Sequence, residues 1–170
     1  MLGTGCRIGE AIAVQDEAID WAERTVSIEA NIVRVKREGL RRHRGKTFAA
    51  QRVLPLPRFV MSRLIDRRPS DVEPNSMIFP NTNGHDLDRT SWRDPHNTGG
   101  RLREALRRAG YDWITNHVFR KTATTVLNEA RLTPRAIAGR IGHARPSITQ
   151  DVYLGKRSGS REAAHLLDEA

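Results

Sequence analysis

The stretch TNHVFRKTATTVL (residues 115–127) decides how this chain is read. His117 and Arg120 stand three residues apart, so a helix places both on one face. That spacing suits the wet side of any helix as well as half of a phosphate clamp. The choice rests on whether polar groups elsewhere in the chain belong with this pair.

The totals narrow the partners. Among 170 residues, 29 are Lys or Arg and 20 are Asp or Glu, a formal net charge of +9. Only Lys36, Lys46, Lys121 and Lys156 are lysines, so arginine carries most of the positive charge. Its planar fork grips phosphate through two parallel hydrogen bonds, where lysine offers a point charge. The sequence pI near 10.9 therefore favours a polyanion, with nucleic acid first. A GC-rich genome is the plainer source of the same bias.

Mean hydropathy of −0.59 and 38% apolar residues describe a soluble globular chain. No run of about 18 apolar residues occurs, so no membrane span or membrane partner is expected. The start, MLGTGCRIGEAI, lacks the basic and apolar stretches of a secretion signal. Cys6 is the only cysteine, which excludes a disulfide framework and a cysteine-built zinc site. The six histidines and scattered carboxylates show no ligand spacing, so no metal or other cofactor is expected. A bacterial cytoplasm, in association with DNA, is the natural setting.

Along the chain, RIGEAIAVQ (7–15) has helical spacing and TVSIEANIVRV (25–35) reads as extended. Residues 36–57 are turn-like and basic, and a hairpin or three-stranded sheet fits residues 25–55. Residues 58–66 read as helix, and 67–96 as loop with MIFP (77–80) docking as a short extended piece. From residue 97 onward the pattern is helical. Leu102, Ala105, Leu106 and Ala109 form one apolar face, and Thr115 or Asn116 can cap the helix of His117 and Arg120. Thr133 caps a helix begun by Pro134, and another Pro-led helix covers 146–154. A linker precedes a short amphipathic tail over 161–170. The fold class is α+β, mainly α with a small antiparallel β-sheet.

Four words now stand in order: TGCRIGEA (4–11), Lys46 ahead of RVLPLP (52–57), HVFRKTATT (117–125), and Gly142-His143 followed ten residues later by Tyr153. This series resembles the catalytic domain of the tyrosine recombinases, the phage-integrase family, from Gly3 to about Gly155. A lone His-x-x-Arg means little, whereas several spaced words in one order are specific.

The resemblance implies a metal-free break in a DNA strand. Tyr153 would attack the scissile phosphorus, forming a 3′-phosphotyrosine and releasing a 5′-hydroxyl. Arg7 and Arg120 would hold the non-bridging oxygens, and Lys46 would protonate the departing oxygen. His117 would take the proton of Tyr153 and His143 would donate to a phosphate oxygen. Glu10 supports the set by orienting Arg7 or His117. The chemistry is coherent, since a phosphodiester opened without metal needs a nucleophile, cations on the developing charge and an acid. Arg34, Lys36, Arg37, Arg41, Arg42 and Arg44, with Lys46, oppose Glu38 alone, and with Lys121 they would contact the backbone of double-stranded DNA.

Each position also has an ordinary reading: Arg7 as a surface partner of Glu10, His117 as a cap, Arg120 as a buried ion-pair partner, His143 as a helix end, Tyr153 as core. Tyr111, in AGYDWI, is expected as apolar filler. Two other functions share parts of the set, a type IB topoisomerase-like nicking-closing enzyme and a non-catalytic DNA-binding remnant. In the family further helix and a DNA-clamping domain precede the segment of Arg7, so the chain reads as N-terminally truncated. Residues 1–155 would form the catalytic domain and 156–170 a linker and tail helix. That tail would dock in cis or on a neighbouring copy, as in a tetramer on DNA.

Overall fold

A computed structural model describes residues 1–44, 51–80 and 98–143, with residues 98–102 described by their backbone alone. It opens with a single helical turn, α1 (Ile8–Ala11), entered from Arg7. The helix expected over 7–15 stops early because the following backbone finds partners elsewhere. Val14 accepts from the Ile78 N–H at 3.0 Å, the Asp16 N–H donates to Ser76, and Gln15 bridges Met77. The MIFP segment thus docks as a short extended piece, against a stretch read as helix. Arg68 clamps the same corner, its Nε and Nη2 each 2.8 Å from the buried Asp16 carboxylate. Those hydrogen bonds hold the Asp16 pKa below its ordinary value.

Two small sheets replace the one expected. In the first, β1 (Ile19–Asp20), β2 (Thr25–Ile28) and β5 (Arg52–Pro55) lie in the order β1-β2-β5, all antiparallel. Asp20 Oδ1 accepts the N–H groups of Ala22 and Glu23, which closes the turn into β2. In the second, β3 (Ala30–Val35) and β4 (Gly39–Arg44) make a two-stranded ribbon in register from Ala30↔Arg44 to Val35↔Gly39. The basic stretch is therefore an ordered ribbon through residue 44.

Alternation along β2 sends Val26 and Ile28 inward, where they meet Leu54, Leu56 and Cys6. Helix α2 (Arg58–Ile65) closes this core with Met61 and Leu64. Ile12, Ala13, Ala30 and Ile32 form a second cluster, which seats α1 on the ribbon. Gly9 allows that approach: a β-carbon there would lie 1.9 Å from Asn31 Oδ1.

The remaining described helices are α3 (Thr98–Arg108), α4 (Asn116–Glu129) and α5 (Pro134–Ile141). The apolar face read on α3 is only partly used: Leu106 is half-buried, Ala105 and Ala109 are exposed, and the Leu102 side chain lies outside the described residues. Tyr111 is half-exposed in the turn before α4, not core filler, since Ile114 N–H closes back on its carbonyl. Helix α5 starts as read, with Thr133 Oγ1 accepting from Ala136 N–H and Pro134 at the first position. Its Ile137 and Ile141 pack on Leu127 of α4. The architecture is the α+β class expected. The segments read as helix over 146–154 and 161–170 lie outside the described residues.

Candidate active site

Four segments distant in sequence close on one pocket of about 320 Å³, whose walls include Arg7, Asn31, Asn116, His117, Arg120 and His143. Arg7 enters from the N-terminus of α1. Its backbone N–H donates to Glu10 Oε2 at 2.8 Å, and its Nη1 to Glu10 Oε1 at 3.2 Å and the Gly142 carbonyl at 3.3 Å. Half of the Arg7 side chain stays exposed, whereas Glu10 is buried. Helix α4 supplies Asn116, His117 and Arg120. Thr115 stands at its N-cap, as read, but makes no side-chain cap bond, and the buried Asn116 Oδ1 has no hydrogen-bond partner among the described residues. Arg120 is buried and its Nη1 donates to the Gly5 carbonyl, which ties α4 to the segment just ahead of Arg7.

His143 is delivered by the end of α5. Gly142 takes the left-handed conformation at φ 74°, and His143 N–H reaches back to the Ala138 carbonyl at 2.9 Å, a glycine-terminated helix end. Arginines then sew this end to the rest. Arg52 donates from Nε to the Arg140 carbonyl at 2.9 Å and from Nη2 to Glu10 Oε2 at 2.9 Å. Arg140 Nη2 donates to the carbonyls of Gly3 and Pro55.

Charge in the pocket is lopsided towards cations. Burial works against ionisation of Glu10, but the hydrogen bond and charge of Arg52, and then the N–H and charge of Arg7, outweigh it and lower its pKa. His143 is pushed down to about 4, first by burial and then by the charges of Arg120, Arg7 and Arg52. It is neutral at pH 7, so it can donate one N–H but adds no charge.

Both shifts carry a sign for stability. A group whose folded pKa is depressed leaves the unfolded chain holding more protons, so stability falls with falling pH. For His143 the loss runs from its ordinary 6.5 down to about 4. For Glu10 it begins below 4.5. Thermal unfolding across this range is expected to show both limbs, and His143→Gln to remove the upper one alone. An upper limb of unchanged depth in that variant contradicts the assignment.

The structure thus brings together Arg7, Glu10, His117, Arg120 and His143, as read from sequence. Lys46 and Tyr153 lie outside the described residues. Arg34, Lys36, Arg37, Arg41, Arg42 and Arg44 are exposed along the ribbon, and Lys121 is exposed beside Arg120. Two of the ribbon arginines approach acids, Arg41 near Glu38 and Arg44 near Glu29. Arg42 Nε is turned to the Ala13 carbonyl at 3.0 Å, so it anchors the ribbon to the body. Sequence reading missed Arg52, Asn31 and Asn116. A signal for Arg52 existed, because strand alternation puts it on the inward face with Leu54 while Val53 points out.

Residues 1–158 match the phage integrase family. The integrase of Staphylococcus phage L54a is 25% identical over 166 residues, covering 88% of this chain and 44% of that protein. The Tn1549 transposon integrase, solved in complex with a circular intermediate DNA, superposes with a TM-score of 0.77 at 22% identity over 99% of this chain and 55% of that one. XerA recombinase gives 0.69 at 20% identity, over 99% and 54%. The chain spans about half the length of these relatives. With a family match over nearly its whole length, a shared fold and this pocket, the chain belongs to the phage integrase family of tyrosine recombinases.

Proposed function

We propose that the chain is the catalytic part of a site-specific DNA recombinase, which breaks and rejoins double-stranded DNA one strand at a time through a 3′-phosphotyrosine. The observation that carries this reading is the convergence of Arg7, His117, Arg120 and His143 on one pocket. A phosphodiester seated there meets two guanidinium groups, each able to hold non-bridging oxygens as charge grows on five-coordinate phosphorus. The Tyr153 oxygen forms the new bond to phosphorus while the bond to the 5′ oxygen breaks. Lys46 protonates that leaving oxygen and His117 accepts the phenolic proton. His143, neutral at pH 7, donates its N–H to a phosphate oxygen. Attack by another 5′-hydroxyl reverses the step and completes strand exchange without a nucleotide cofactor. Docking of the 156–170 tail on a second copy would supply the oligomer such an exchange needs.

The ribbon serves binding. Arg34, Lys36, Arg37 and Arg41 project from β3, β4 and the turn between them, and phosphate contacts of this kind place a protein without reading sequence. Affinity for duplex DNA is expected to fall with salt, with a log–log slope that loses about 0.9 per phosphate contact removed. Serine at these four positions should flatten the slope, and an unchanged slope refutes the ribbon's role. The cleavage reading is tested with nicked duplexes tiled from the DNA that flanks the gene. A covalent protein–DNA adduct, formed equally well with EDTA present, is the expected product. DNA binding without any adduct on the full set overturns it.

A further inference from the structure

We infer that Arg52 is a positioning residue of the site: its one guanidinium clips the Arg7–Glu10 pair of α1 to the end of α5 that presents His143. The inference rests on the strand-cleavage reading for its catalytic consequence, though not for its structural one.

Arg52 lies behind the pocket wall, and its side chain is 8% exposed, as is that of Glu10. Its donors are divided between two elements. Nη2 and Nη1 face the two Glu10 oxygens, at 2.9 and 3.5 Å. Nε and Nη2 face the carbonyls of Arg140 and Ile141, at 2.9 and 3.5 Å, two of the groups that the end of a helix leaves without intrahelical donors. The fit is close. A β-carbon on Gly142 would stand 2.7 Å from Arg52 Nη1 and 2.8 Å from its Cζ, so the helix end lies against the guanidinium itself. The Gly142 carbonyl then accepts from Arg7 at 3.3 Å, and His143 follows directly.

Arg7 and His143 are far apart in sequence, and Arg52 touches both Glu10, the partner of Arg7, and the helix end that leads into His143. Strand β5 holds it in place, since Arg52 pairs with Ile28 at the end of the β2–β5 ladder. A lysine satisfies the charge of Glu10 from a single nitrogen, but it has no planar fork to reach the α5 carbonyls at the same time. Arg52→Lys therefore separates the ion pair from the clip, and Arg52→Gln removes both.

The test compares these two variants with the parent chain by four readouts: melting temperature, duplex affinity, single-turnover adduct formation, and the titration of the His143 imidazole by NMR without DNA. Arg52→Lys is expected to melt near the parent temperature and to bind duplex with nearly unchanged affinity. Its adduct forms about 10²-fold more slowly, as small misplacements of a reacting constellation do. Its His143 midpoint moves upward from about 4, because the unclipped α5 end lets the ring into solvent. Arg52→Gln, where it folds, shows the same changes with a lower melting temperature. A lowered melting temperature with parent adduct rate and an unmoved His143 midpoint makes Arg52 a structural ion-pair partner only, and overturns the inference. If the parent chain forms no adduct, the cleavage reading has failed, and the His143 midpoint in Arg52→Lys still decides the positioning inference.

Discussion

Tyr153→Phe is expected to give no covalent adduct while binding the same duplex with nearly unchanged affinity. The change removes one oxygen and leaves the ring, so packing and phosphate contacts survive and the new bond to phosphorus does not. Phenol is a poor nucleophile at neutral pH, with a reference pKa of about 10, and needs cations near its oxygen to favour the phenolate. Arg7 and Arg120 supply such a field at the pocket, where burial first and then their charges hold His143 near 4. Tyr111, the only other tyrosine, provides the control. It sits half-exposed in the turn before α4, and Tyr111→Phe should leave adduct formation intact. Adduct retained in Tyr153→Phe and lost in Tyr111→Phe would move the nucleophile to the other ring. Adduct retained in both would remove phosphotyrosine from the mechanism.

What the sequence made legible was short-range. Arg7 and Glu10 stand at i and i+3, and their hydrogen bond follows from that spacing once α1 forms. The same spacing put His117 and Arg120 on one wall of the pocket. Thr133 and Pro134 marked the start of α5 by local chemistry alone, and the structure uses both. Long-range pairing decided the misread elements around the front of the chain. Helix α1 ends at Ala11 because residues 76–78 take the backbone of Val14 to Asp16, a contact no periodicity in 7–15 announces. The single sheet expected became two because β2 turns to β5 while β3 turns to β4. Arg52 was absorbed into a basic stretch and read as one charge among many. Its role comes from facing inward toward a carboxylate 42 positions away, and charge counting carries no such direction.

Burial also separates cations that look alike in sequence. Arg37 and Lys36 at the ribbon turn are exposed, so their charges are screened by salt, which suits the binding role proposed for them. Arg52 and Arg120 lie out of solvent, where a charge interacts strongly and misplacement is costly. Glu10 belongs to the second kind. It is a buried carboxylate between Arg7 and Arg52, so protonating it loosens two segments at once, and the lower acid limb reads that event. One composition of 29 basic residues thus contains two populations that differ in burial.

The test of the second population is Arg120→Gln, for which adduct formation should drop by about 10²–10³, the usual loss when one preorganised donor to a developing oxyanion is removed. Glutamine keeps an N–H₂ able to approach the Gly5 carbonyl, so the tie between α4 and the N-terminal segment is weakened less than by alanine. Arg120→Lys keeps the charge and loses the fork, and it should recover only a small part of the rate, because its compact ammonium lacks the separated nitrogens that span Gly5 and a phosphate oxygen. Duplex affinity should change far less than rate in both variants, if the exposed ribbon supplies most phosphate contacts as proposed. His143 adds a check independent of DNA. Arg120 is the first of the charges that depress it, so its midpoint must rise in Arg120→Gln and rise less in Arg120→Lys. A folded Arg120→Gln chain with an adduct rate within tenfold of the parent would mean that Arg120 braces the Gly5 segment without touching the reacting phosphate.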